Sequence, residues 1–137
     1  MSEPRVEEFM THSPHTIGQE QPLCVAYRLM REYRIRHLPV LDGAKLVGML
    51  SQRDLHFMAT LRDVDPEKLA VGEAMSQDTY AVSPRRSVRE VTADMADHRY
   101  GSAVIVDNDR VIGIFTTVDA MRALSLLLSA RLVARHE

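Results

Sequence analysis

The strongest constraint on the fold is that the chain repeats itself without a gap. A shift of 65 positions lays Val6 on Val71, Glu8 on Glu73, Met10 on Met75, Met30 on Met95, Arg34 on Arg99, Asp42 on Asp107, Gly48 on Gly113 and Asp54 on Asp119. Conservative pairs fill the spaces between them, among them Ile17/Val82, Leu23/Val88, Val40/Ile105, Lys45/Arg110, Val47/Ile112 and Ser51/Thr116. An ungapped register over about fifty residues points to duplication of one structural unit.

The best-marked stretch of each half is Leu46 to Asp54, echoed by Val111 to Asp119. It reads as a short apolar strand broken by one Gly, then a hydroxyl residue, then an Asp three positions later. Ser51 and Thr116 suit the N-cap of a following helix, and Asp54 and Asp119 fall in its first turn. Either pair taken alone is an ordinary capping box, the Asp returning a hydrogen bond to the cap residue's N–H. The helix front also points free N–H groups off the strand end, where an anion could sit.

The rest of each half follows one order. Val6 to Met10 and Val71 to Met75 suggest a short leading helix, and brief strands are expected near Thr16-Ile17 and Ala81-Val82. An amphipathic helix comes next, with Leu23, Ala26, Tyr27 and Met30 at i, i+3, i+4 and i+7, matched by Val88, Val91, Thr92 and Met95. Pro22 and Ser87 open these helices. Leu38–Leu41 then turns through Asp42-Gly43 into Leu46–Leu50, and Ala103–Val106 turns through Asp107-Asn108-Asp109 into Val111–Phe115. Pro39 has no donor and belongs at the start of a strand or at an edge. Helices from Gln52 and Thr117 complete the pattern β-α-β-β-α, twice. A three-stranded sheet with one helical face buries its apolar surface poorly alone. The expected class is therefore α/β (α+β), with two repeats packed sheet to sheet about a pseudo-two-fold axis. The expected boundaries are 1–60 for repeat 1, 61–70 for a linker, 71–125 for repeat 2 and 126–137 for the end of a C-terminal helix.

Order, spacing and duplication together make the chain resemble the CBS domain family, in the tandem pair called a Bateman module. The likeness covers Val6 to about Leu55 and Val71 to about Ala120. It includes the leading V-x-x-x-M, the His37–Asp42 stretch H-L-P-V-L-D and the G-h-h-[ST]-x-x-D ending of both halves. That resemblance implies a cleft between the repeats that binds AMP, ADP, ATP or S-adenosylmethionine. It makes Asp54 and Asp119 candidates for holding ribose hydroxyls, with Ser51, Thr116 and Thr117 beside them, which is sound chemistry for a carboxylate facing a diol. It places Thr16, Ile17, Tyr80 and Ala81 along the adenine. Basic residues before the second strand and beside the terminal Asp commonly hold phosphates in this family. Here they are Arg36, His37 and Arg53 in repeat 1, against Gly101, Ser102 and Val118 in repeat 2. The resemblance thus implies that all three converge on the pocket of Asp119, while the Asp54 pocket takes a neutral or cationic ligand or stays empty.

The remaining features are read more plainly. With net charge −2, a general nucleic-acid or membrane-surface role is not expected. No apolar run reaches a membrane span, and Met1-Ser2-Glu3-Pro4 does not look like a signal peptide. Cys24 is alone and expected to be inert, which suits a reducing cytoplasm. His12-x-x-His15 lacks a convincing third ligand, and Arg28, Arg31, Arg85, Arg86 and Arg89 read as a solvated face. Met30, Met49, Met95 and Met121 read as core packing. The stripe Met121, Leu124, Leu128, Leu132 is expected to pack on the domain or on a second subunit. No P-loop or catalytic triad is visible, so the chain is expected to be no enzyme and to need no cofactor. The expected partners are an adenosine-containing small molecule, a second copy in a homodimer and an effector protein of unknown identity. The alternative is an interaction module without a physiological ligand; divalent-cation sensing by carboxylates has little support.

Overall fold

Turn chemistry and apolar spacing place the elements close to where the sequence puts them. The computed structural model describes residues 3–135. A 3-10 turn at Val6–Glu8 leads into β1 (Thr11–His12), β2 (Ile17–Gly18), α1 (Leu23–Tyr33), β3 (His37–Asp42), β4 (Lys45–Ser51) and α2 (Gln52–Ala59). Then come α3 (Val71–Ala74), β5 (Ala81–Val82), α4 (Val88–His98), β6 (Ser102–Asp107), β7 (Arg110–Thr116) and α5 (Thr117–Arg135). The class is mixed α+β, and β2-α1-β3-β4-α2 and β5-α4-β6-β7-α5 are the two β-α-β-β-α runs. The strand expected at Thr16-Ile17 begins one residue later, and β1 was not expected.

The chain divides into two compact units that do not follow the two halves. One holds residues 14–79 with 108–111; the other holds 1–13, 80–107 and 112–137, of which 3–135 are described. Each unit thus carries the leading segment of the other half. In the unit of residues 14–79 the sheet runs β2-β3-β4, with β2 parallel to β3 (Ile17 opposite Val40) and β3 antiparallel to β4 (Val40 opposite Gly48). The leader of the second half docks here. Ser76 bridges Met49, Ala70 bridges Pro22, and Val71 and Ala74 enter the core with Ile17, Leu23, Leu38, Leu50 and Leu55. In the other unit the sheet runs β1-β7-β6-β5. There the first leader repeats those contacts: Thr11 lies opposite Ile114, Arg5 bridges Ser87, and Val6 and Met10 pack with Val82, Val91, Ile105 and Phe115.

Local devices explain the ends. Pro39 pairs with Met49, whose own N–H and C=O go to Ser76, so the pair needs no donor from proline. Pairing of β3 with β2 starts only at Val40. Ser87 caps α4 by accepting from the N–H of Glu90 at 3.0 Å. Arg34 and Arg99 end α1 and α4 in the left-handed region (φ 54° and 58°), one more matched pair of the duplication.

Met30 and Met95 are buried, but Met121 is 67% exposed, which overturns its reading as core. The reason is angular. Only Asp119 and Ala123 of α5 are buried, at i and i+4, and Met121 lies on the opposite side of the helix. Val118, Leu124, Leu126, Leu128, Leu132 and Val133 are exposed as well, so α5 is apolar around much of its circumference.

Candidate functional site

Both halves build their Ser/Thr-x-x-Asp segment as a capping box with an added hydroxyl bond. At the front of α2, the Ser51 N–H donates to Asp54 Oδ2 at 2.8 Å, the Ser51 hydroxyl donates to the same oxygen at 2.9 Å, and the Asp54 N–H donates back to Ser51 Oγ at 3.1 Å. At the front of α5, the Thr116 N–H and hydroxyl donate to Asp119 Oδ2 at 2.9 and 3.2 Å, and the Asp119 N–H donates to Thr116 Oγ1 at 3.4 Å. One carboxylate oxygen in each half is thereby committed to starting a helix. The capping reading of the sequence is correct, and it accounts for Oδ2 alone.

The second oxygen distinguishes the halves. Asp54 is half-buried, and its Oδ1 accepts no hydrogen bond among the described residues. Asp119 is 5% exposed, and its Oδ1 accepts the Thr11 hydroxyl at 3.1 Å across 108 residues of sequence. Thr11 was missed by sequence reasoning. The available signal was the hydroxyl pair Thr11/Ser76, which directly follows the matched Met10 and Met75. Ser76 occupies the equivalent backbone position, opposite Met49, yet it is exposed and makes no side-chain hydrogen bond among the described residues.

Around Asp54 the register gathers several expected residues. His37 lies opposite Ser51, and the Gln52 N–H donates to the Arg36 carbonyl at 2.8 Å, so Arg36, His37, Ser51, Arg53 and Asp54 meet at one end of their sheet. Burial holds the His37 imidazole below its ordinary pKa; the Asp54 carboxylate pulls it up, and the Arg36 guanidinium pushes it down further. Around Asp119 the same positions are neutral: the Thr117 N–H donates to the Gly101 carbonyl at 3.3 Å, and Ser102 and Val118 stand where His37 and Arg53 do. Thr16 directly precedes β2, and Ala81 is the first residue of β5. Ile17 is 5% exposed and packs into the core.

Tyr80 belongs to a different constellation. Its hydroxyl donates to Asp94 at 2.6 Å and its ring stacks on Tyr100 at 4.9 Å, which stacks in turn on His98 at 5.1 Å. Burial and the Asp94 carboxylate push its pKa up to about 12, so it remains a donor at any physiological pH.

Other candidates resolve as structure. A hollow of about 430 Å³ opens before α4 between Glu3, Arg5, Arg85, Arg86 and Glu90. Neither Asp54 nor Asp119 lines it, and its arginines are already paired. Arg86 pairs with Glu90 at 3.0 Å and with Asp94 at 3.3 Å, Arg85 with Asp107 at 3.9 Å, and Arg5 with Glu7 at 3.6 Å. His15 stacks on Tyr33 at 3.8 Å, and no metal-sized group of His, Cys, Asp and Glu occurs among the described residues.

Comparison with known proteins places this geometry. The CBS domain model matches residues 6–57 and 71–126. Hypoxic response protein 1 of Mycobacterium tuberculosis is 30% identical over 109 residues, 79% of this chain and 76% of that protein. An inosine-5'-monophosphate dehydrogenase of Korarchaeum cryptofilum is 32% identical over 84% of this chain, but only 23% of the enzyme is covered. Among solved structures, a Vibrio cholerae protein assigned to acetoin utilization (AcuB) superposes with TM-score 0.85 at 31% identity, covering 95% of this chain and 96% of that one. The CBS domain pair of protein MJ0100, in complex with 5'-methylthioadenosine and S-adenosyl-L-methionine, gives 0.81 at 23% identity over 90% and 98%. CBSX2 in complex with AMP gives 0.80 at 22% over the same 90% and 98%. With two family segments covering most of its length and the paired fold in place, the chain belongs to the CBS domain family as a CBS domain pair.

Proposed function

We propose that this chain is a regulatory module that binds an adenosine-containing molecule (AMP, ADP, ATP or S-adenosylmethionine) through ribose hydroxyls on Asp54 and Asp119, without catalysing a reaction. The observation that carries the reading is the division of labour within Asp54. Oδ2 of this half-buried residue takes two donors from Ser51, and Oδ1 is left accepting from none of the described residues. An ionised carboxylate oxygen beside a helix front is a strong acceptor for a hydroxyl donor. Arg36, His37 and Arg53 supply positive charge suited to phosphates, Arg through its planar fork. The AMP and S-adenosyl-L-methionine complexes of CBSX2 and the MJ0100 pair support this class of ligand.

Regulation requires that the ligand bind two arrangements of the chain unequally, and the response cannot exceed that difference. A separate effector protein in the cytoplasm would read it. The exposed stripe on α5 supports a homodimer as the working form.

Calorimetric titration with AMP, ATP, S-adenosylmethionine and adenosine, alongside thermal melts, tests the reading. Binding should raise stability by about 2.7 kcal/mol at a ligand concentration of 100 times Kd. Replacing the 2'-hydroxyl by hydrogen should weaken binding about tenfold, because it removes a bond to a charged acceptor. Neither heat nor a melting shift with any of the four would leave a scaffold without a physiological ligand as the better account.

A further inference from the structure

We infer that Thr11 is an internal competitor for the ribose position of Asp119, setting that site's affinity below what its carboxylate could give. The inference rests on the reading above that Asp119 receives ribose hydroxyls. The Thr11 hydroxyl donates to Asp119 Oδ1 at 3.1 Å, and Thr116 already fills Oδ2 with its N–H and hydroxyl. Three of the carboxylate's four accepting positions are thus taken, and a diol that donates both of its hydroxyls must displace the Thr11 hydroxyl and exchange one hydrogen bond for another.

The donor is well placed to do this and also to leave. It sits on the two-residue strand β1, held opposite Ile114 of β7, so its backbone is fixed by the sheet. Thr11 is itself exposed, so its hydroxyl can turn to water when displaced. β-branching restricts χ1 and keeps the hydroxyl over Oδ1 in the resting state. The equivalent Ser76, opposite Met49, has no such restriction and makes no side-chain hydrogen bond among the described residues. One methyl group thus separates an occupied carboxylate from an open one, and the two halves are unequal before any ligand arrives.

The test titrates AMP, ATP and S-adenosylmethionine into the wild-type chain, Thr11→Val, Thr11→Ser, Asp119→Asn, Asp54→Asn and the Thr11→Val/Asp119→Asn double variant, with circular dichroism melts as a check on folding. Valine keeps the shape and removes the donor. Thr11→Val should tighten binding at the Asp119 site about tenfold, the scale of one competing charge-assisted hydrogen bond. Where the wild type fills only the other site, it should instead add a second binding equivalent. Thr11→Ser should fall between wild type and Thr11→Val, and the gain should vanish in the double variant. Weaker or unchanged binding in Thr11→Val, or a gain that survives Asp119→Asn, would overturn the inference and leave the ribose reading standing. Absence of binding in every variant, wild type included, would overturn both.

Discussion

Substituting Gly48 by Ala puts the packing of the leading segments under direct strain. A Cβ at Gly48 would meet Met75 Sδ, would lie 2.9 Å from Met75 Cγ, and would approach the backbone oxygen of Ser76 to 2.8 Å. The methionine can swing away, but the carbonyl cannot. Ser76 O accepts the Met49 N–H at 2.9 Å and Ser76 N–H returns a 2.9 Å bond to the Met49 carbonyl, so moving one breaks both. Overpacking of this kind costs roughly 1–3 kcal/mol, and a weakened backbone bond adds about 1. The smaller entropy of an unfolded alanine gives back about 0.5–1 kcal/mol. The net expectation is a loss of about 2 kcal/mol. At Gly113 the intruding Cβ meets Met10 Sδ, but the backbone oxygen of Thr11 is 3.1 Å away, and the expected cost is about 1 kcal/mol or less. Thermal unfolding followed by circular dichroism measures both, with melting temperatures expected to fall by about 7 °C and 3 °C respectively. Truncating the overlying methionine should then relieve Gly113→Ala more than Gly48→Ala, because only the flexible obstacle is removed. Gly48→Ala matching wild type, or costing less than Gly113→Ala, would refute the claim that the second leader is pinned across β4.

Two further outcomes follow. His37, held below the ordinary imidazole value near 6.5, is neutral at pH 7, and the unfolded chain binds its proton more readily; stability should fall as pH drops through 6.5. A bound phosphate favours the charged ring, so AMP affinity should rise from pH 7.5 to pH 6 while adenosine affinity stays flat, and calorimetry on His37→Gln should abolish the difference. If α5 pairs with a second copy, sedimentation should give a dimer that Leu124→Glu/Leu128→Glu converts to monomers with unchanged secondary structure; dimers surviving in the variant would remove α5 from the interface.

What the sequence disclosed and what it withheld divide along physical lines. The hairpins through Asp42-Gly43 and Asp107-Asn108-Asp109, the apolar stripe from Leu23 to Met30 and the helix starts at Ser51 and Thr116 are local, set by turn chemistry, periodicity and capping over a few residues. The exchange of leaders is not local. Val6 and Met10 present the same pattern whichever unit they cover, because Val71 and Met75 match them and both cores are built from matching residues. Duplication, the feature that revealed the fold, removed the information about which copy packs where. Met121 failed for a related reason: helical spacing shows that a stripe exists, and only the fold shows that Asp119 and Ala123 are the residues of α5 that are covered. At the site, Asp54 and Asp119 were legible from the cap motif, whereas the Thr11 contact spans 108 residues and depends on the leader exchange.

The same exchange makes the two carboxylates unequal. In each unit the leader crosses the Gly of the strand that runs into the capping Asp, so the residue after the leader's Met is set beside that strand. Because the leader comes from the other half, what happens at one carboxylate depends on a residue encoded before the opposite repeat. On the proposed reading, drift of that residue between Thr and Ser would change a ligand position without touching the cap, since the cap uses Oδ2 and Thr11 uses Oδ1. On the proposed ribose reading, folding and binding would thus draw on separate atoms of one side chain. Asp119→Asn should accordingly split the two duties: its carbonyl oxygen can still accept from the Thr116 N–H and keep α5 started, while the position facing Thr11 becomes a donor that repels both the Thr11 donor and a ribose hydroxyl proton. A chain that keeps its melting temperature within a few degrees but loses ribose dependence at that site is the result this separation requires.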